Sequence, residues 1–524
     1  MDLHEARSAN YLRELFKAIP EDTILTTLPP SPHELSGKGR PPFPRKAMLR
    51  ALVARQGLRI PSYAALALRL QQDIVLRHEC GFVFGKGSPG EDCLEDFAHL
   101  LGTHTEALGC GFDRQVDELS FLLPEFGEST SWDSAHIPLV KPPQQEVEEN
   151  EAQEGNHTAA RLDAPSADES ATAPPVPLGK ESGTVSPEAS SPDDGNGDGK
   201  RAEKQSTPCS KPEAASPRAL EGDWGKKTYE SVCEKVLELK DGTKVTGIEV
   251  KKETNTLFGG KIHLIVDNKY HLPIGIEVTP QSQGDCPMVP FMYREFCKNH
   301  PQIEVRYAMA DKAADSAEVH QTLVEELGII PLIPLREAPN REAPATPEYE
   351  FPKTVYDRER VTHLIDPRTG KYEEIEPWGY DRSRQAVKYR CPCERMRKEG
   401  RLRADERCPF FGAQCGGSRD KFPYSFRVNL RENWRYYCPV PRETDRWSEL
   451  YKQRTTVERV NALAKGPLQL GDKRLRSLTT ATAEAYLACI VLCARAKVAI
   501  DWGAPEKVGS AVTEIPYRRH RMAG

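Results

Sequence analysis

Three carboxylates in this 524-residue chain are placed where they could hold a divalent metal ion. Asp133 lies in TSWDSAHIPL and Asp311 in YAMADKAADS, each at the end of an apolar run that predicts a β-strand. Loops at strand ends line the crevice of a twisted sheet, where ligands bind. Taken singly, each aspartate is more typical of a solvated turn. The third carboxylate, Glu458, lies in a segment with helical periodicity, and that helix decides how the aspartates are interpreted.

The predicted helix WSELYKQRTTVERVNALAKGPLQL has two chemically different faces. At about 100° per residue, four polar side chains share one narrow face: Tyr451, Arg454, Glu458 and Lys465. Apolar side chains lie opposite, at Val457, Val460 and Leu463. An ordinary solvated surface helix has the same amphipathic pattern. The polar face nevertheless has a chemical sense, because a metal-ligating carboxylate flanked by two cations and a phenol suits a phosphodiester held over a divalent ion.

The polar face also resembles a known signature. Its spacing, Tyr-x2-Arg-x3-Glu-x6-Lys, resembles that of bacterial insertion-sequence transposases of the DDE class, in the group whose nuclease domain is interrupted by a β-rich insertion. The segment MADKAADS around Asp311 is similar to that family's A-D-K-G-Y-D-S pattern, with two alanines in place of Gly and Tyr. The resemblance runs from about residue 30 to 500 and omits an acidic segment, which stretches the interval between Asp133 and Asp311 to 178 positions.

The resemblance implies an enzyme that cleaves DNA strands and transfers them with the help of divalent metal. Two Mg²⁺ or Mn²⁺ ions would be held by Asp133, Asp311 and Glu458, because these ions prefer hard oxygen ligands. The other signature residues would bind phosphates at the transposon end: Tyr451, Arg454 and Lys465. The protein would act as a homodimer that pairs two end repeats and joins them to target DNA.

Two other functions fit the same residues. One is a related metal-dependent nuclease that cuts DNA without joining it. The other is a captured transposase that acts only as a DNA-binding protein. The acidic triad argues against a pure binder, because three carboxylates without metal would repel DNA.

The elements that must position these residues predict an α/β fold with a ribonuclease-H-like catalytic core. After residue 223, apolar and polar residues alternate as they do in strands. Segments of helical and strand periodicity then follow one another, which predicts a mixed sheet with flanking helices. KIHLIVD and LPIGIEV should form a hairpin across Asn268 and Lys269. The N-terminal segments have helical periodicity, and the pair around Gly57 fits a helix-turn-helix or ordinary helix packing equally well.

The sequence therefore predicts seven consecutive parts. They are a helical N-terminal DNA-binding or dimerisation domain (1–115), a first core strand (125–141), a disordered acidic Pro/Ser-rich insert (142–223), the ribonuclease-H-like core (224–336), a Cys/Arg-rich β insertion (337–446), C-terminal core helices with the catalytic Glu (447–500) and a basic tail (501–524).

Charge and composition agree with a DNA-binding enzyme once the acidic insert is set aside. The chain has a net charge of −6, but residues 142–223 contain 17 acidic and 7 basic residues, so the remainder is net positive. That insert is poor in large apolar residues, as disordered segments are. The sequence has no long uncharged apolar run, so we expect no membrane contact and a cytoplasmic, nucleoid-associated protein of bacteria.

Cysteines in the predicted insertion suggest a second metal site. Cys391, Cys393, Cys408 and Cys415 loosely resemble a zinc ribbon, although the pairs are C-x-C and C-x6-C where structural zinc favours thiolates two to four residues apart. Reduced buried cysteines, or a redox-labile pair, are the alternatives.

The same insertion is rich in cations and aromatic residues. Positions 382–407 hold 10 basic and 4 acidic residues. Aromatic side chains nearby could stack on the bases of single-stranded DNA: Tyr389, Phe410, Phe411, Trp434, Tyr436 and Tyr437. We therefore expect this insertion to contact DNA.

Overall fold

A computed structural model gives the structure of most of the chain. It describes residues 3–37, 41–83, 85, 87–140, 223–238, 244–336, 354–356, 362–366, 368–403, 405–410, 425–466, 468–471 and 475–509. Nearly all of the predicted acidic insert, most of the basic tail, and Cys415 and Phe411 lie outside the described residues.

Helices surround a sheet and make up most of the N-terminal part. The α-helices are α1 (Leu3–Lys17), α2 (Glu21–Thr27), α3 (Pro32–Ser36), α4 (Arg45–Gly57), α5 (Tyr63–Gln72), α6 (Ile74–Cys80), α7 (Glu91–Thr103), α8 (Thr105–Leu122), α9 (Met288–Asn299), α10 (Ala317–Gln321), α11 (Cys393–Lys398), α12 (Asp445–Tyr451), α13 (Thr455–Lys465) and α14 (Leu478–Asp501). None of these described helices is long and apolar enough to cross a lipid bilayer.

The strands form three sheets. They are β1 (Ser129–Pro138), β2 (Asp223–Glu238), β3 (Lys244–Asp267), β4 (Leu272–Pro280), β5 (Tyr307–Met309), β6 (Ile330–Leu332), β7 (Thr354–Tyr356), β8 (Thr362–Ile365), β9 (Tyr372–Glu374), β10 (Glu376–Asp381), β11 (Ala386–Arg390) and β12 (Ser425–Asn429).

The central sheet is mixed, as predicted. Its strands follow the order β4-β3-β1-β5-β6, in which β3 runs antiparallel to β1 and β4, while β5 and β6 run parallel to β1. The predicted hairpin is confirmed, since β3 and β4 pair on either side of Asn268 and Lys269. Strand β2, which the sequence did not predict, pairs with the first part of β3 and lengthens it into a two-stranded ribbon.

The N-terminal helices pack directly on the long helix α14. This helix is buried along most of its length and contacts α1, α4, α7, α8 and β4. Glu484 of α14 accepts hydrogen bonds from Gln56 and Tyr63 and forms a 2.5 Å ion pair with Arg55. Both Arg55 and Glu484 are buried, so the N-terminal helices and the C-terminal helix share one core.

The predicted helix-turn-helix segment is a pair of packed helices. Helix α4 ends at Gly57, and α5 begins after Ser62, whose hydroxyl accepts a hydrogen bond from the Ala65 amide at 3.1 Å. Most of α4 is buried against other helices. One face of α5 is solvent-exposed, with Leu68 among its exposed side chains. The pair therefore serves helix packing. Of its two helices, α5 is the one with a solvent-exposed face.

The predicted helix around Glu458 is present, but one 3-10 turn divides it into two α-helices. Helix α12 ends at Tyr451, a 3-10 turn spans Lys452–Arg454, and α13 begins at Thr455. The break has a packing cause, because α12 lies on β6 whereas α13 crosses β1 and β3. Val457 and Val460 of α13 are fully buried, which confirms the apolar face of the second half.

Candidate active site

Asp133 lies near the middle of β1, so the prediction that it ends a strand is wrong; β1 continues to Pro138 because its second half also pairs with β3. Asp133 lies on the face of the sheet that α13 covers. It pairs in register with Leu264 of β3, and its side chain is partly buried. Its Oδ2 accepts a hydrogen bond from Nδ2 of Asn461 on α13 at 3.2 Å. The helix that carries Glu458 thus holds one oxygen of the Asp133 carboxylate in place.

Asp311 follows β5, the strand that runs parallel to β1. Its Oδ1 accepts from the amide of Ala313 at 2.9 Å, which starts the short 3-10 turn Lys312–Ala314. This bond fixes the side chain at the strand end and uses one of its two oxygens. The residue is half-buried, so its carboxylate remains accessible to a ligand.

Asp315, four residues later, has a different environment that excludes it as the second ligand. Its carboxylate is buried. It accepts hydrogen bonds from His320 Nε2 at 3.2 Å, from Arg435 Nη2 at 2.6 Å and from the Arg336 amide at 2.8 Å. Burial opposes ionisation, but the hydrogen bonds from His320 and Arg435 outweigh it and hold the pKa of Asp315 well below its usual range. Asp315 therefore stabilises the loop after Asp311 and links it to the insertion.

Glu458 lies in the first turn of α13 and is half-exposed. Its Oε1 forms a 2.6 Å ion pair with Nη1 of Arg454, whose own side chain is mostly buried. The 3-10 turn before α13 places Arg454 near two carboxylates, since both Glu458 and Asp133 act electrostatically on its guanidinium. This arrangement holds a cation next to the third predicted carboxylate.

The three carboxylates lie near enough to influence one another. Burial raises the pKa of Asp133 to about 6, Arg454 opposes the rise, and the negative charges of Asp311 and Glu458 add to it. A strand, the loop after a second strand and a helix therefore converge at one place. The sequence separates Asp133 from Glu458 by more than 300 positions, so this convergence is a property of the fold.

The three carboxylates do not form one tight cluster. Among the described residues, the group of three or more potential ligands that all lie within 4.8 Å of one another is a set of cysteines, so the three carboxylates are more widely spread than that. Carboxylate oxygens are nevertheless the donors that a hard divalent ion prefers. The Oδ1 atom of Asn461, beside Asp133, is buried without a hydrogen-bond partner among the described residues, which fits a cation bound there.

Tyr451 and Lys465 lie at opposite ends of the same region. The Tyr451 hydroxyl is 3.4 Å from the carbonyl oxygen of Ala310, one residue before Asp311, and its ring stacks on Trp447 at 4.6 Å. Lys465 is the last residue of α13 and is half-buried. Tyr451 therefore contacts the backbone of the residue that precedes Asp311.

Three of the four predicted zinc ligands converge in the insertion. The Sγ atoms of Cys393 and Cys408 are 3.1 Å apart, and those of Cys391 and Cys408 are 3.9 Å apart. All three thiols are buried and reduced. Cys415 lies outside the described residues, so its part in the group stays a prediction.

The predicted stacking surface is wrong for three of its six aromatic residues. Tyr389, Phe410 and Tyr437 are almost completely buried, because they pack with aliphatic side chains such as Val387 and Leu430 in the core of the insertion. Trp434 and Tyr436 are partly buried against that core. A different aromatic residue is exposed: Trp378 of β10 lies 5.3 Å from the Arg390 guanidinium and faces solvent.

Cations of the insertion are more often paired than the sequence count indicates. Several form ion pairs with glutamates, including Lys398 with Glu394. Exposed arginines that form no ion pair with the described residues include Arg382, Arg384, Arg403 and Arg407. Such arginines remain available for phosphate.

Sequence reasoning missed Asn461. It lies three residues after Glu458, so helical periodicity could have placed it on the neighbouring face. Its chemical type gave no signal, because a buried asparagine is as typical of helix packing as of a metal site.

Two family models match this chain. One, described as "Transposase DDE domain", matches residues 238–494 and so includes Asp311 and Glu458 but not the strand with Asp133. The other, described as "Transposase domain (DUF772)", matches residues 2–100. No curated protein matches the chain.

Proposed function

Since the chain belongs to the DDE transposases of insertion sequences, as both family models indicate, we propose that it cuts DNA strands at the ends of such an element and joins them to a target. The observation that carries this proposal is that Asp311, Glu458 and Arg454 all lie near enough to Asp133 to act on it electrostatically. The strand order β4-β3-β1-β5-β6, with β3 antiparallel, supports a ribonuclease-H-like core.

Asp133, Asp311 and Glu458 would hold two Mg²⁺ or Mn²⁺ ions. Bound ions of this kind supply a nucleophile at neutral pH and neutralise charge on the attacking and leaving oxygens of a phosphodiester. The protein side chains prepare the site for them. Asn461 fixes the orientation of Asp133, and the backbone amide of Ala313 fixes that of Asp311. No covalent bond between enzyme and DNA is needed.

Arg454, Lys465 and Tyr451 would position the DNA end. Arg454 has a buried Nε and an Nη1 that contacts Glu458, so its guanidinium is held rigidly beside the carboxylates. A cation held in place binds a phosphate at a lower entropic cost than a mobile one. Tyr451, whose hydroxyl lies beside Ala310, would contact a phosphate near Asp311.

The insertion would extend the DNA-binding surface. Exposed arginines, together with Trp378 and Arg390, offer both phosphate contacts and a stacking surface. We propose that the enzyme acts as a homodimer on two end repeats in the bacterial cytoplasm, at the nucleoid.

A strand-transfer assay tests this function. Purified protein is incubated with Mg²⁺, with a labelled duplex that carries an end repeat from the DNA flanking the gene, and with a supercoiled target plasmid. We expect nicked ends and plasmid-joined products with the wild type. Asp133→Asn, Asp311→Asn and Glu458→Gln should give neither product, while Glu449→Gln, an exposed control on α12, should give both.

Three outcomes separate the candidate functions. Cleavage without joined product would favour a nuclease. DNA binding without cleavage by the wild type would favour a captured binding protein. Cleavage by any of the three carboxylate variants at the wild-type rate would remove that residue from the proposed triad.

A further inference from the structure

The structure contains a second group of potential metal ligands, chemically unlike the carboxylates. Cys391 follows β11 directly, Cys393 begins α11, and Cys408 lies in the loop that returns from this helix. Their three Sγ atoms lie within 4.8 Å of one another. We propose that these three thiolates bind a zinc ion that stabilises the insertion.

The sulfur positions suit a tetrahedral ion. A Zn–S distance of about 2.3 Å in tetrahedral geometry places sulfur atoms about 3.8 Å apart. The Cys391–Cys408 distance of 3.9 Å agrees with that value, and the Cys393–Cys408 distance of 3.1 Å would lengthen slightly around an ion. Three thiolates leave one position of the tetrahedral shell for a further ligand.

The loop that brings Cys408 to the other two thiols is held by local hydrogen bonds. After α11, the amides of Arg401 and Leu402 both donate to the carbonyl oxygen of Met396, at 2.9 and 3.2 Å. Arg397 Nη2 then donates to the carbonyl oxygen of Glu406 at 3.3 Å. The chain is therefore folded back into this position by contacts that do not involve sulfur.

The surroundings of the three thiols can accommodate a bound soft divalent cation. The three cysteines are each 4–6% exposed and lie in a small core that also contains Met396 and Phe410. Three thiolates and one Zn²⁺ leave a single negative charge, and Arg368 lies close enough to act electrostatically on Cys393. Thiolate ligands select zinc over Mg²⁺, so this site and the carboxylate site would not compete for the same ion.

The size of the insertion gives the ion a structural role. The three-stranded sheet β10-β11-β12 and α11 bury only a small apolar cluster. A metal that cross-links segments of a small sheet adds to its stability. The ion would tie the end of β11 to α11 and its return loop.

Cobalt binding tests the proposal, because thiolate-bound Co²⁺ has a strong sulfur-to-metal charge-transfer absorption. The full-length chain is reduced, stripped of metal and titrated with Co²⁺ alone, and zinc is then added. We expect the absorption to saturate at one Co²⁺ per chain and to vanish as zinc displaces cobalt. Cys393→Ser should lose the absorption. Cys438→Ser should keep it, because Cys438 is equally buried in the same insertion but lies outside the thiol group.

The outcomes of this titration decide the zinc proposal without depending on the proposed transposase activity. Absence of the absorption in the wild type would overturn the proposal, and so would its full retention in Cys393→Ser. If Cys393→Ser does not fold, the wild-type titration still decides. Asp133→Asn should bind Co²⁺ at the thiols as the wild type does, so failure of the proposed transposase activity and failure of the zinc site are distinguishable.

Discussion

Metal binding at the carboxylate site should weaken as the pH falls through about 6, because Asp133 must lose its proton to act as a ligand. Burial raises the pKa of Asp133 to about 6, and Asp311 and Glu458 add to the rise. A group with that pKa is about 90% ionised at pH 7 and about 10% ionised at pH 5. The apparent affinity for Mn²⁺ should therefore fall about tenfold between these pH values. An aspartate of ordinary pKa, near 3.9, would remain about 90% ionised at pH 5 and give almost no change.

Isothermal titration with Mn²⁺ between about pH 5 and about pH 7.5 measures this dependence. One other group could contribute, because burial also raises the pKa of Asp267 to about 6. Asp267 is the last residue of β3, three residues beyond the partner of Asp133, and it accepts hydrogen bonds from the amides of Gly127 and Tyr270. Asp133→Asn should remove the pH dependence of metal binding, while Asp267 still titrates. An affinity independent of pH in the wild type, or the same slope in Asp133→Asn, would refute the reasoning.

Three further changes have predicted outcomes. Glu484→Ala should lower the free energy of unfolding in urea by about 3–5 kcal/mol, because it leaves the buried Arg55 without its carboxylate. Arg454→Ala should weaken binding of end DNA more at low salt than at high salt and reduce the log-log salt slope by about one. Asn461→Ala should slow cleavage and move its pH dependence to higher pH, because Asp133 loses a hydrogen-bond donor that favours its charged form.

Two of these predictions have a control variant, and the third is decided by a pH profile. Glu506→Ala, at an exposed position after α14, should leave the unfolding free energy unchanged within about 0.5 kcal/mol. Glu458→Gln should leave end-DNA affinity unchanged or slightly tighter, since it removes a negative charge. Equal losses of affinity in Arg454→Ala and Glu458→Gln, with unchanged salt slopes, would mean that α13 is purely structural. A pH profile of Asn461→Ala identical to that of the wild type would leave this residue without a positioning role.

Local patterns predicted most of the elements that carry the candidate site. Alternating apolar residues gave β1 and the β3–β4 hairpin, and the strand-end position of Asp311 followed from the same pattern. Spacing on the helix gave Arg454 and Glu458 as neighbours, and the structure places them 2.6 Å apart. These features depend on residues close in sequence, where periodicity and side-chain chemistry are sufficient.

Features that depend on distant contacts could not be predicted. The break at Lys452–Arg454 arises because α12 and α13 pack on different strands, and nothing in the local sequence forbids a continuous helix. The bond between Asn461 and Asp133 joins residues 328 positions apart. The buried Glu484 pairs with Arg55, which is even more distant in the chain. In each case the partner is set by the packing of whole elements.

A substitution that changes the metal preference tests the central claim most directly, namely that the carboxylates of the three elements form one metal site. Asp311→Cys replaces a hard oxygen ligand by a thiolate, which Mg²⁺ binds poorly and Mn²⁺ tolerates better. Cleavage of end DNA is measured in each ion, with Glu449→Cys as the control. We predict that Asp311→Cys loses cleavage in Mg²⁺ and regains it in Mn²⁺, while the control cleaves in both. Wild-type cleavage by Asp311→Cys in Mg²⁺ would contradict the account, as would equal loss in both ions by a folded, DNA-binding variant.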